Sequence, residues 1–181
     1  MSVRQTAQVV GKEELMKKLE KIVTVLGIIA IGLATLFGTI KIISIYTQKQ
    51  IPTVEVQTYL EQIGPMGQKI SEVMVSVTPL FTNPANVSQQ DALKQISTAK
   101  EKLIVIGEEA KAYTPPARLA STHDRFKQAV GNYVDSFKLT EIALQQNDPD
   151  KSKQAADLLI KGSDSLKQIS DEITAMKEKN Q

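Results

Sequence analysis

The chain has 181 residues, a net charge of +2, no cysteine, no tryptophan and a single histidine. That length leaves room for one ordinary domain beside a further segment, and the lack of cysteine excludes disulfides, thiolate chemistry, cysteine-based zinc sites and a lipid-modified N-terminal cysteine. Aromatic residues make up only 4%, too few for a surface that stacks on bases or sugars, and no basic face is apparent, so a nucleic-acid partner is not expected.

Residues 1–11 are mostly small and polar. From Lys12 to Lys21 a helical pattern begins, with Leu15, Leu19 and Ile22 on one face and lysines between them; such a segment can lie along an anionic lipid surface or form the first turns of the next helix. That next helix is Ile22 to Ile40, nineteen residues without a charge, bounded by Lys21 and Lys41. At ~1.5 Å of rise per residue the run crosses a hydrocarbon layer of ~30 Å as an α-helix. It exceeds the ~7–15 apolar residues of a cleaved signal peptide, and no A-x-A pattern comes after it. The reading is therefore an uncleaved membrane span.

Residues 1–43 hold six basic and three acidic residues, while the remainder of the chain is nearly balanced at 16 basic and 17 acidic. The excess of lysine before the span places the N-terminus in the cytoplasm and the larger C-terminal part outside it. Within the span, Gly27, Ala30, Ala34 and Gly38 fall at steps of three, four and four, one helical face of small residues that lets a second helix approach closely. That face suits another membrane protein or a second copy of this chain; membrane lipid is the other expected partner.

Pro52 marks the next boundary, since the residue before a proline is driven out of helical geometry and proline suits a first helical turn. Thr53 to Phe81 reads as a helix with a seam at Val56, Leu60, Ile63, Gly67, Ile70, Met74, Val77 and Phe81, the four-three alternation of a helix buried along one side. Gly64 and Pro65 interrupt it and mark a kink or hinge. The turn Thr82-Asn83-Pro84-Ala85-Asn86 comes next, and Ser88 with Asp91 has the form of a helix N-cap. Asn86-Val87-Ser88 also matches a glycosylation acceptor, which is taken as coincidence.

The second seam is Leu93, Ile96, Ala99, Leu103, Ile106, Ala110 and Tyr113, ended by Thr114-Pro115-Pro116. The third is Leu119, His123, Phe126, Val130, Tyr133, Phe137, Thr140 and Leu144, ended at Asn147-Asp148-Pro149-Asp150, and the fourth is Ala155, Leu159, Gly162, Leu166, Ile169, Ile173 and Met176. Four helices of similar length with short connections pack most simply as an antiparallel up-down-up-down bundle. The expected fold is thus all-α: a cytoplasmic segment at 1–21, one N-terminal transmembrane helix at 22–43, a connector at 44–52 and an extracytoplasmic four-helix bundle at 53–181.

Candidate chemistry is sparse. His123 alone has a side chain suited to proton transfer near neutral pH, and it lies on the buried seam, where a histidine more often satisfies a neighbouring polar group. The acidic pairs Glu108-Glu109 and Asp171-Glu172 point in different directions on a helix and read as solvated faces, and Asp148 and Asp150 flank a proline as turn and capping residues. No phosphate loop, zinc-ligand spacing or serine elbow is present, so neither an enzyme nor a cofactor is expected. Space beside Gly64-Pro65, Gly67 or Gly162 offers the alternative of a small molecule bound between helices, as in a sensor.

Two resemblances bear on this. Tyr113-Thr114-Pro115-Pro116, Leu119, His123, Phe126, Ala129, Tyr133, Asn147-Asp148-Pro149, Ala155-Ala156 and Leu159 resemble a family of uncharacterised bacterial helical domains with a proline-rich opening, one helical histidine and an Asp-containing turn. The likeness covers about residues 110–170 and implies a cell-envelope location without an activity. A span followed by a four-helix bundle also resembles the sensor half of bacterial chemoreceptors and sensor kinases, from which this chain departs in having no second span or output domain after Met176. Together these readings give a non-enzymatic, membrane-anchored accessory or scaffold subunit, or interaction module, of the bacterial envelope.

Overall fold

A computed structural model of the chain describes residues 54–82 and 87–178. The expected cytoplasmic segment, transmembrane helix and connector, with Gly27, Ala30, Ala34 and Gly38, lie outside the described residues, and among the described residues no helix is long and apolar enough to cross a membrane. The described part is all-helical: α1 (Val54–Thr82), α2 (Gln89–Ala112), a short 3-10 turn (Ala117–Leu119), α3 (Ala120–Gln146) and α4 (Pro149–Glu178).

Local chemistry explains each boundary. Ser88 caps α2, its Oγ accepting from the Asp91 N–H at 3.1 Å and donating to Asp91 Oδ2 at 2.6 Å, so one serine satisfies an orphan amide while the acid complements the helix dipole. Asp148 does the same for α4: its Oδ1 accepts from the N–H groups of Asp150 and Lys151 at 2.9 and 3.1 Å, and Pro149 occupies the first helical position, where its missing N–H costs nothing. Asn147 ends α3 in the left-handed region, at φ 53° and ψ 46°, a conformation that asparagine tolerates better than most residues. Pro65 and Pro79 both sit inside α1 without ending it. Each is exposed, so the carbonyls they leave unpaired, at Glu61 and Val75, fall on the solvent side where water replaces the lost bond.

Neighbours in sequence run antiparallel. Lys69 pairs with Glu109 and Tyr59 meets Tyr113 between α1 and α2; Lys100 pairs with Glu141 and Ala110 meets His123 between α2 and α3; Ser136 meets Ala155 and Thr122 meets Glu172 between α3 and α4. In every pair, partners rise in number along one helix as they fall along the other. All eight residues of the third seam are buried, and the others are buried or half-buried along their length. The buried stripe is nevertheless twice as wide as a single seam: Tyr59, Met66, Val73 and Leu80 on α1 and Thr122, Ala129, Ser136 and Ala143 on α3 form second rows at heptad spacing, all buried. A helix in a bundle touches two neighbours, so its apolar face must span about 100° or more.

Candidate functional site

One cluster of enclosed polar and aromatic groups lies at the end of the bundle where α1 begins, α2 ends and α3 begins. Helix α2 finishes in an extended residue, Tyr113 at φ −81° and ψ 130°, and so lacks the left-handed residue whose N–H groups usually bond the last carbonyls. His123, 1% exposed, replaces it from the next helix: its Nε2 lies 2.8 Å from the Ala110 carbonyl oxygen. A carbonyl can only accept, so Nε2 carries the proton and Nδ1 is left as a lone-pair acceptor. The opposite end of the same helix pair is fastened in the reverse sense, Gln89 of α2 donating from Nε2 to the carbonyl of Leu144 near the end of α3. Each helix therefore caps the other.

Around His123 stand three aromatic rings. Tyr59 lies edge to face at 5.9 Å between centroids, Tyr113 likewise at 5.4 Å, and Phe126 stacks at 6.3 Å. Tyr59 is fully buried, and loss of water around its hydroxyl, with Tyr113 and the Glu172 carboxylate adding to it, pushes its pKa well above the ordinary tyrosine value. Glu172 is fixed by Arg125 Nη1 and by the Thr122 hydroxyl at 3.1 Å, and Arg118 Nε reaches Glu55 Oε2 at 3.5 Å at the start of α1. Two polar atoms of the cluster, His123 Nδ1 and Tyr59 Oη, find no hydrogen-bond partner among the described residues, although a buried polar group left unpaired costs about 1–3 kcal/mol.

Of the residues singled out in the sequence, His123 holds this cluster together. Gly64 and Pro65 sit in the unbroken helix α1, and a side chain at Gly64 or at Gly67 would meet nothing within 4 Å. Gly162 leaves no space for a ligand: an added Cβ there would lie 2.5 to 2.9 Å from three atoms of the Tyr133 ring. The acidic pairs separate as adjacent helical residues must, Glu108 to Lys111 and Glu109 to Lys69, Asp171 to Lys167 and Glu172 to Arg125. Glu172 is thereby a tertiary contact rather than part of a solvated face. Sequence reasoning also missed Tyr59, because the seam through Leu60 and Gly67 shares Val56, Ile63, Ile70 and Val77 with the seam through Tyr59 and Met66.

Elsewhere, an open cleft of about 390 Å³ runs between α1 and α2, lined by Ser76, Lys94, Thr98 and Lys102 among others. Among the described residues no three of His, Asp or Glu converge to hold a metal ion. Comparison with models of protein families, with curated proteins and with solved structures finds no match.

Proposed function

We propose that the chain is a non-enzymatic accessory or scaffold subunit of the bacterial cell envelope, anchored by the span at 22–43 with its N-terminus in the cytoplasm and presenting an extracytoplasmic up-down-up-down bundle to another envelope protein. The apolar run Ile22–Ile40 and the lysines before it support the anchor and its orientation, and the resemblance around Tyr113–Leu159 supports the compartment. The observation that carries the interaction reading is the outer face of α2. Ile104 and Val105, consecutive residues that flank this face, are 39% and 57% exposed, and the other exposed large apolar side chains described, Val54 and Val75, belong to α1. His123 Nε2, by contrast, is engaged in fastening the end of α2.

Affinity-tagged full-length chain, isolated from native membranes in mild detergent, tests this. Wild type co-purifies a different envelope protein in fixed ratio, and Ile104→Glu with Val105→Glu lowers the yield of that partner at least tenfold without shifting the melting temperature of the bundle. A partner retained by the double variant, or none recovered with wild type, would sink the reading. Leucine at both Ala34 and Gly38 tests the other half, since it should abolish any association made through the span.

A further inference from the structure

We propose that Tyr59, Tyr113 and His123 enclose a binding site for one internal water molecule, held between the Tyr59 hydroxyl and Nδ1 of His123. The argument starts from the tautomer. Because Nε2 donates to the Ala110 carbonyl at 2.8 Å, Nδ1 presents a lone pair and needs a donor. No described residue supplies one, and Tyr59 Oη is equally without a partner. Both residues are sealed from solvent, Tyr59 at 0% and His123 at 1% exposure, so bulk water cannot serve either atom.

The two atoms are chemically complementary to a single guest. A water can accept from the tyrosine O–H and donate to the histidine nitrogen, meeting the two to four polar partners that an internal water requires. The two rings are neighbours, edge to face with centroids 5.9 Å apart, so both unpartnered atoms belong to one enclosed cluster. Tyr113, 5.4 Å from His123 and 6.2 Å from Tyr59, and Phe126, stacked on the imidazole at 6.3 Å, surround the pair with ring surface, which suits a neutral guest and disfavours an ion. Bound there, the water ties α1 to the contact by which α3 caps α2, joining three helix ends through one molecule.

The single histidine makes the test clean, because ring-labelled [15N]histidine in the full-length chain gives two nitrogen resonances with no assignment to make. In detergent micelles the wild-type chain should show a protonated Nε2, a hydrogen-bonded but unprotonated Nδ1, and cross-relaxation from a long-lived water to the His123 and Tyr59 ring protons. Tyr59→Phe should abolish the water signal and move Nδ1 to the value of an unbonded lone pair, while Tyr113→Phe leaves both in place. An Nδ1 resonance unchanged in Tyr59→Phe overturns the proposal. So does one that moves without any water signal in wild type, which would mean a direct tyrosine-histidine bond. The wild-type water signal alone decides the matter should the Tyr59 variant fail to fold.

Discussion

Helices α3 and α4 are joined in a different way from α1 and its neighbours. Along α3 and α4 the contact runs through small residues: Ala129, Ser136 and Ala143 on one side, Ala155 and Gly162 on the other, with the Ser136 hydroxyl donating to the Ala155 carbonyl at 2.8 Å and the Tyr133 ring lying against Gly162. These two helices bring their backbones closest, whereas α1 approaches α2 less closely and α4 scarcely at all. The ten buried residues of α1 are Val56, Tyr59, Ile63, Met66, Ile70, Val73, Met74, Val77, Leu80 and Phe81, without a single Ala, Gly or Ser. One side of the bundle is held by proximity and the other by reach: where side chains are large the helices stand apart and the side chains fill the interval, and packing density is kept by both routes.

The comparison can be broken most forcefully on the α1 side. Ile70→Ala or Met74→Ala, each at a fully buried site, should cost ~2–5 kcal/mol in urea unfolding of the full-length chain, because distant helices cannot close over the cavity. On the α3–α4 side the damaging change is the opposite one. Gly162→Ala forces a Cβ to within 3 Å of a buried ring, and the strain of ~1–3 kcal/mol should outweigh the gain of ~1 kcal/mol that alanine brings to a helix interior; a stabilised Gly162→Ala would refute the close approach. His123→Leu, which strands the Ala110 carbonyl, should lose ~1–3 kcal/mol. Lys69→Met should lose at most ~1 kcal/mol and only at low salt, since the Lys69–Glu109 pair that joins α1 to α2 is half exposed. Smallest is an acid-side effect on α3. A hydrogen bond and charge from Lys127 hold the Asp124 carboxyl below its ordinary value, the neighbouring His123 adding to it. That contribution to stability is present above the unfolded pKa of ~3.9 and is lost as pH falls through the lower folded value; in Lys127→Met the Asp124 titration, followed by NMR, should move upward.

Much of this architecture was legible in the chain before the structure. The four seams, the Ser88 and Asp148 caps and the breaks at Thr82, Thr114 and Asn147 all follow from periodicity and turn chemistry, which are local. What periodicity could not give was the width of the buried stripe, because a row at Tyr59 and a row at Leu60 fit the same alternation and only the presence of two neighbours shows that both are covered. Nor could it show that Gly162 makes room for Tyr133, since a glycine that leaves space and a glycine whose space is already taken look alike in sequence. The cluster around His123 was half visible. The histidine stood out as unique, but its partner is a backbone carbonyl, and carbonyls carry no residue identity. Glu172 was hidden for a related reason, as its worth depends on Arg125 and Thr122 lying across an interface some fifty positions away.

The unbroken row of large side chains on α1 also sets an order of events. Chains are made from the N-terminal end, so α1 is complete while the helices that cover it are still unmade, and its ten large apolar residues face solvent or a chaperone during that interval. The α3–α4 hairpin, closed by the two-residue link Asn147-Asp148, makes its contacts early by virtue of their short range. For a nascent chain the hazard therefore lies at the front: any stall before α2 is finished leaves the apolar face of α1 bare, and aggregation rather than slow folding is the failure this arrangement invites.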